Sequence, residues 1–198
     1  MYDIRRVMVW ARRCRHSRGF GVQSPWAYSF IRYVVNEHYP YYAYKQLESE
    51  FKGLPGLERK LCRLYFRMAN YLQPRCVVDF GGPSAPFRAY VSAGCRRALV
   101  AAGQGCDWPS GAICGGGAVD FARFTPSAGC RERYFAAAKR AGSGSMFVVE
   151  GIHSSSEGRR LWSEIRRDGS TGVTFDLYYC GIVCFDKERY RQNYIVNF

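Results

Sequence analysis

Hydrophobic positions follow two different spacings along the chain, and the change from one to the other falls near residue 73. Before it, apolar residues recur at helical intervals, and serine with proline or a Gln-Pro step marks helix ends. After it, short apolar runs of strand length alternate with helical segments. The first part is therefore predicted to be helical over 2–14, 24–34, 42–51 and 55–72.

The second part has the pattern of an α/β fold. Strands are predicted over 76–80, 97–102, 118–124, 146–150, 172–179, 181–185 and 192–198, and helices over 85–95, 127–141 and 155–167. Alternation of strands and helices indicates a mostly parallel sheet, and the final strands, which no helix separates, are predicted to be antiparallel. We expect a helical N-terminal extension, 1–73, packed on a sheet domain, 74–198. The apolar run before Asp79 is predicted to be a central strand.

Composition narrows the class of protein. Hydrophobic residues make up 47% of the 198 residues, which allows a packed core and argues against global disorder. No apolar run approaches the ~20 residues of a membrane-spanning helix, and no secretory signal follows the basic N-terminus. The nine cysteines are scattered without a C-x-x-C pair. This distribution favours reduced thiols in a cytoplasmic protein that is not an integral membrane protein.

The net charge of +13 is concentrated at the N-terminus. Six arginines occur within the first 20 residues: Arg5, Arg6, Arg12, Arg13, Arg15 and Arg18. Such a segment can bind a polyanion or lie on an anionic membrane surface. Alternatively, the segment docks on the tyrosine-rich region 28–44 through its apolar side, formed by Ile4, Val7, Met8 and Trp10, and the arginines remain in water. We expect docking, with only weak polyanion binding.

The turn after the first strand carries the chemistry most typical of a cofactor site. Asp79 ends the apolar run, Gly81 and Gly82 follow it, and Ser84 stands between two prolines. An acidic residue and glycines at this point are characteristic of nucleotide-binding α/β domains. Proline, however, removes backbone N–H donors from the turn.

The order and spacing of four further segments resemble class I S-adenosylmethionine-dependent methyltransferases, in particular small bacterial proteins related to the catechol-type O-methyltransferases. Residues 18–25, Arg-Gly-Phe-Gly-Val-Gln-Ser-Pro, are similar to the helical N-terminal extension of that bacterial group. Residues 119–124 and 146–150 match its fourth and fifth strands. Residues 173–185, with Gly181 at the bend, resemble its antiparallel last pair. The likeness extends from about residue 18 to residue 198 and implies a Rossmann-like methyltransferase sheet.

The resemblance implies that Asp79, Gly81, Gly82 and Ser84 belong to the turn that contacts the methionine part of the cofactor. Two other cofactor features differ from the family pattern. The second strand ends in Ala101-Ala102-Gly103, where the family has an acid that binds the ribose hydroxyls. The glycine-rich segment 103–117 is too short for the family's third strand and its flanking helices. One strand is therefore expected to be absent, which places the strand near Leu99 at the edge.

The family's metal ligands are not matched either. Thr125 stands where the metal-dependent members have an aspartate, and Glu150 is followed by glycine rather than a second acid. No metal is expected. Glu150 and His153 are weak candidates for a catalytic acid/base pair at the carboxyl edge of the sheet. The alternative, in which Glu150 ends a strand and His153 flanks a helix cap, is favoured.

Three functional hypotheses remain. The favoured one is a degenerate methyltransferase-fold protein that is non-catalytic, binds S-adenosylmethionine weakly or not at all, and acts as a binding or scaffold subunit for a protein or small-molecule partner. The second is an active small-molecule O-methyltransferase with an altered cofactor loop. The third is a basic module for polyanions or membrane surfaces. Fold analogy alone cannot choose among them.

Overall fold

The structure, a computed structural model, describes residues 4–103 and 117–198, and in them the chain forms one seven-stranded sheet. The strands are β1 Cys76–Asp79, β2 Leu99–Ala102, β3 Phe121–Phe124, β4 Met146–Glu150, β5 Thr174–Asp176, β6 Cys180–Cys184 and β7 Asn193–Ile195. Their order across the sheet is β2-β1-β3-β4-β6-β5-β7.

Seven α-helices accompany the sheet in the described ranges. They are α1 Ile4–Arg12, α2 Pro25–Phe30, α3 Tyr42–Glu50, α4 Gly56–Leu72, α5 Ala85–Gly94, α6 Cys130–Ala138 and α7 Ser156–Arg167. A 3₁₀ segment, Cys14–Gly19, follows α1, and a π-helical turn, Ile31–Val35, continues α2. Ser24, Ser84 and Ser155 cap the N-termini of α2, α5 and α7.

The strand directions confirm the predicted Rossmann-like class. Strands β1 to β4 are parallel, and β6 lies antiparallel between β4 and β5. Strand β7 pairs in parallel with β5 at the far edge. Strand β2 forms the other edge of the described sheet, as expected. The predicted glycine-rich connection lies almost wholly outside the described residues. Strand β1 is buried throughout but is second from the edge, so the middle position belongs to β4.

Different helices pack on the two faces of the sheet. Alternate strand residues point to opposite faces, so Val77 and Phe121 pack with Leu64 of α4 and Phe87 of α5 in one core. A second core joins the other face to α6 and α7. Because the first core includes residues from α2 to α4, the N-terminal extension contributes directly to the packing of the sheet. The domain boundary near residue 73 stays a prediction.

The bend between β5 and β6 differs from the expectation. Gly181 does not lie at the bend but inside β6, paired with Val149 on one side and Asp176 on the other. The chain reverses at residues 177–179, where Tyr178 has φ 71°. The reason for glycine at position 181 is the Trp162 ring: a Cβ there would lie 2.4 Å from it. The glycine therefore makes room for α7 to pack on the sheet.

One cysteine departs from the expected set of reduced thiols. Cys76 is disulfide-bonded, whereas six other described cysteines are free: Cys14, Cys62, Cys95, Cys130, Cys180 and Cys184. The expectation of reduced thiols is therefore wrong for Cys76, and the cytoplasmic location stays a prediction. Within residues 4–103 and 117–198 no helix is long and apolar enough to cross a membrane.

Substitution of Gly181 by alanine should destabilise the protein by about 1–3 kcal/mol, because the added methyl group overpacks the contact with Trp162. Chemical denaturation measures the change. Gly144→Ala is the matched control, since a Cβ at Gly144 meets nothing within 4 Å. Equal stability of the two variants would contradict the close contact between β6 and α7.

Candidate functional site

The carboxyl ends of the parallel strands bring three charged side chains together. Asp79 of β1 pairs across the ladder with Ala102 of β2 and with Arg123 of β3. Arg123 in turn lies opposite Val148 of β4, and Glu150 follows two residues later on the same face. Residues directly opposite each other in neighbouring strands point to the same side of a sheet. The register therefore places one arginine between two carboxylates.

Arg123 binds both of its acidic neighbours. Its Nη1 donates to the two oxygens of Asp79 at 3.1 and 3.2 Å, and its Nε donates to Glu150 Oε1 at 2.6 Å. The side chains of Arg123, Asp79 and Glu150 are only 12%, 4% and 17% exposed. A buried charge is tolerated only when it is paired and hydrogen-bonded, and this group of three meets both conditions.

Two aromatic side chains enclose the arginine. Its guanidinium lies 5.8 Å from the Tyr65 ring centre and 5.3 Å from that of Phe87. The Tyr65 hydroxyl, from α4, also donates a hydrogen bond to Glu150 Oε1. The helical extension thus supplies one wall of the site, and the site is complete only when α4 is in place.

Burial and charge act in opposite directions on these groups. Burial raises the pKa of Asp79, although Arg123 and backbone N–H donors partly offset it. Burial would lower the pKa of Arg123, but Tyr65, Glu150 and Asp79 outweigh it and raise that pKa. Burial, reinforced by Glu150, raises the pKa of Tyr65 well above its ordinary value. Arg123 is therefore a permanent cation within this site.

The residues predicted to hold a cofactor have structural partners. The Gly81 amide donates to Asp79 Oδ1 at 3.0 Å. A Cβ at Gly81 would lie 2.6 Å from the Thr125 methyl group, so glycine allows the turn to approach β3 closely. Gly82 adopts φ 90° with open space around it. The Ser84 hydroxyl accepts from the Phe87 amide as the cap of α5. The turn exists as predicted, and whether it binds a cofactor stays a prediction.

The end of β2 lacks a carboxylate, as the sequence indicated. Beyond it, the Phe80 ring packs so closely on the backbone that a Cβ at Gly103 would lie 2.4 Å from it. Phe80 also stacks on Phe124 with ring centres 4.8 Å apart. Aromatic rings therefore fill space beside the ends of β1, β2 and β3.

Two adjoining clefts open at this edge of the sheet, and Arg123 lines the first of them. The first, of about 270 Å³, is lined by Cys62, Tyr65, Ser84 and Arg123 among others. The second, of about 380 Å³, has a wall formed by His153, Ser154, Tyr178 and Tyr179. Glu150, Leu57 and Leu61 line both clefts and separate them. Only the second reaches the lower size typical of ligand pockets, roughly 300 Å³.

Asp176 organises the wall of the second cleft. Its Oδ2 lies 2.8 Å from His153 Nε2, and its Oδ1 accepts from Arg13 Nη2 at 2.8 Å. The His153 ring stacks on Tyr178, and the Arg13 guanidinium lies 5.2 Å from the same ring centre. Burial would raise the pKa of Asp176, but His153, Arg13 and the Tyr178 amide outweigh it and lower that pKa to about 2.

The structure separates the two predicted acid/base residues. Glu150 and His153 both line the second cleft, but Glu150 is bonded to Arg123 and Tyr65, whereas His153 is bonded to Asp176. The sequence analysis missed Arg123, Tyr65 and Asp176. A charged residue inside the apolar strand 121–124 was the available signal for Arg123. For Asp176 the signal was an acid at a buried strand position.

The N-terminal arginines differ in their surroundings. Arg13 is held by Asp176 and is 14% exposed, whereas Arg12 and Arg15 are exposed. The side chains of Arg5, Arg6 and Arg18 lie outside the described part. The expected docking of the apolar side of α1 is wrong for Val7, Met8 and Trp10, which are 53%, 51% and 59% exposed.

Comparison with known proteins identifies the fold. No family model and no curated protein match the chain. Among solved structures, an SAH-bound methyltransferase from Podospora anserina superposes with a TM-score of 0.54 over 81% of this chain and 93% of that one, at 9% identity. A Geobacter sulfurreducens methyltransferase gives a TM-score of 0.41 at 14% identity, over 82% of this chain and 96% of that one. The chain has an S-adenosylmethionine-dependent methyltransferase-like fold.

Groups of three or more His, Cys, Asp or Glu side chains with the geometry of a metal site do not occur within residues 4–103 and 117–198. Glu150 is the one acidic residue among those that line the second cleft. A single carboxylate is a poor match for divalent cations that take six or more oxygen ligands.

Replacement of Arg123 by alanine should destabilise the protein by about 3 kcal/mol, because Asp79 and Glu150 would be left buried without their cation. Arg123→Lys should lose less stability, because lysine keeps the positive charge. It lacks the planar guanidinium whose several N–H groups reach both carboxylates. Arg131→Ala, which breaks an exposed pair with Glu164, is the control and should change stability little. Denaturation midpoints compare the three. An unchanged midpoint for Arg123→Ala would refute the buried ion-pair group.

The pH dependence of stability should contain a contribution from Asp176. Its pKa is lowered from 3.8 to about 2 in the folded protein, so the stabilisation is present above pH 4 and is lost as pH falls towards 2. The shift corresponds to about 2 kcal/mol. Unfolding free energies of wild type and Asp176→Asn should therefore converge over this range. Parallel profiles would contradict the role of Asp176.

Proposed function

We propose that this chain is a methyltransferase-fold protein that does not transfer methyl groups and serves as a binding or scaffold subunit. The observation that carries the proposal is the position of Arg123, which binds Asp79 and Glu150 at the carboxyl edge of the sheet. Ligands of open α/β folds bind at this edge. Here an internal cation already satisfies the acidic groups that a ligand would need.

The charge of Arg123 opposes the cofactor of this fold. S-adenosylmethionine supplies a methyl group from a positively charged sulfonium and also carries an ammonium group, so its methionine part favours an acidic surrounding. Asp79 is the acid of the cofactor turn, yet it is bonded to Arg123 and to the Gly81 amide. The positively charged methionine part of the cofactor, if bound at this turn, would lie next to the Arg123 guanidinium rather than next to a free carboxylate.

The adenosine side of the site supports the same proposal. Ala102 stands at the level of Asp79 on β2, and its side chain offers no acceptor for ribose hydroxyls. The Phe80 ring packs on the backbone of Gly103 and stacks on Phe124. A polar ligand group bound beside these rings would lose its hydrogen bonds to water without replacement. These features of the described residues support weak or absent cofactor binding.

The binding role is assigned to the second cleft. It has about 380 Å³ of space, apolar contacts from Val9, Leu57 and Pro126, and polar groups at His153 and Ser154. Apolar lining with few oriented polar groups is the usual composition of small-molecule sites. The wall is held in place by the bond of His153 to Asp176, so the cleft is formed before any ligand arrives.

An active O-methyltransferase is the second candidate, and one observation favours it. The His153–Asp176 pair in the second cleft has the arrangement of a base oriented by a carboxylate, with a distance of 2.8 Å between Nε2 and Oδ2. Such a pair can take a proton from an acceptor hydroxyl. This candidate requires the cofactor to bind beside Arg123.

Calorimetric titration with S-adenosylmethionine and S-adenosylhomocysteine distinguishes a non-catalytic binding protein from an active O-methyltransferase. We expect dissociation constants weaker than about 1 mM for both ligands, because Arg123 already occupies the Asp79 carboxylate. The purified protein should also release neither compound on denaturation, as checked by mass spectrometry.

A dissociation constant in the low micromolar range, or cofactor carried through purification, would overturn the proposal and favour the enzyme. In that case His153→Ala should abolish methyl transfer while leaving cofactor affinity unchanged, because His153 lines the second cleft and not the first.

A further inference from the structure

Helix α1 presents its apolar side to the surroundings and not to its own domain. At 3.6 residues per turn, Val7, Met8 and Ala11 fall within one third of the helical circle, and Val9 lies nearly opposite them. Val7 and Met8 are more than half exposed, and Ala11 is exposed as well. Trp10, at the margin of this side, is 59% exposed.

The contacts of the segment fix this orientation. Val9 lines the second cleft, and Arg13 is tied to Asp176 through two hydrogen bonds. At the other end of the chain, the Asn197 side-chain amide donates to the Trp10 carbonyl at 3.4 Å and its backbone amide donates to the His16 carbonyl at 3.0 Å. The domain therefore holds the side of α1 that contains Val9, and the opposite, apolar side remains outward.

The sequence of this segment is strongly basic, with Asp3 as the one acidic residue among the first 36. Residues 4–36 contain seven arginines and no aspartate or glutamate. Arg12 and Arg15 are exposed, and Phe20, a little further along, is 82% exposed. The surface thus combines large apolar side chains with a dense positive charge.

The exposed apolar side chains and the positive charge together indicate what kind of partner binds here. A bilayer with anionic lipids offers an apolar layer for Val7, Met8 and Trp10 and negative headgroups for the arginines. Tryptophan is also enriched at the membrane interface. Nucleic acid would bind the arginines but would leave the apolar side chains in water. A second copy of the chain would bring two arginine-rich segments together, and their like charges would repel. We propose that α1 is a peripheral docking surface for anionic membranes.

Sedimentation with vesicles tests this proposal on the full chain. Vesicles of phosphatidylcholine and phosphatidylserine in equal amounts should bind the protein, and vesicles of phosphatidylcholine alone should not. Binding should shift the tryptophan emission to the blue, and Trp10→Phe should remove most of that shift, since Trp10 enters the interface.

Three variants separate the contributions. The double variant Val7→Ser/Met8→Ser should bind anionic vesicles about tenfold less tightly, because its apolar side no longer inserts. Arg12→Gln/Arg15→Gln should show a similar loss and a weaker salt dependence. Tyr42→Ser is the matched control, since Tyr42 is 98% exposed in the same extension but lies on α3. It should bind like wild type. All of these side chains are exposed, and unchanged thermal unfolding confirms that each variant is folded.

Several outcomes would overturn the proposal. They are an absence of binding to anionic vesicles at physiological salt, equal binding by the Val7→Ser/Met8→Ser variant, and tighter binding to duplex DNA that does not depend on the apolar residues. A dimer in sedimentation equilibrium that the Val7→Ser/Met8→Ser variant dissociates, without vesicle binding, would assign the apolar side to a second copy instead.

Discussion

The positive charge of Arg123 is the constraint on which the rest of the site depends. Two carboxylates, Asp79 and Glu150, end neighbouring parts of the sheet with little access to water. Without a cation between them they would repel each other and lose hydration. The arginine resolves this conflict inside the protein, and the same contact removes the free acidic groups through which a methyltransferase-like sheet could hold a cofactor. Stability and the proposed loss of catalysis thus have one cause.

The helical extension is part of this arrangement. Tyr65 of α4 donates to Glu150, and its ring, with that of Phe87 from α5, encloses the guanidinium. The two rings leave the arginine side chain only 12% exposed, at the wall of the first cleft. The extension therefore has a role beyond covering apolar surface, because it determines the dielectric environment of the charged group.

The sequence predicted the fold better than the site, and particular residues explain the difference. Apolar runs such as 76–79 and 146–149 define strands locally, so their existence and order can be read from spacing alone. The partners of Arg123 depend instead on the register between strands far apart in the chain, which no local pattern records. The family resemblance placed Gly181 at a bend, but the reason for glycine at this position is the Trp162 ring on α7. Asp176 and Arg13 are separated by 163 positions, and their pairing exists only in the folded chain.

Asp176 connects the wall of the second cleft to the N-terminal segment. One carboxylate holds both His153, in the wall of the second cleft, and Arg13, at the base of the N-terminal segment. If a ligand bound in the second cleft broke the contact between His153 and Asp176, the bond of Asp176 to Arg13 would change too, and the two events would share a coupling free energy. Thermodynamic linkage would make that coupling reciprocal: a partner that repositions the N-terminal segment would alter the affinity of the cleft for such a ligand by the same factor.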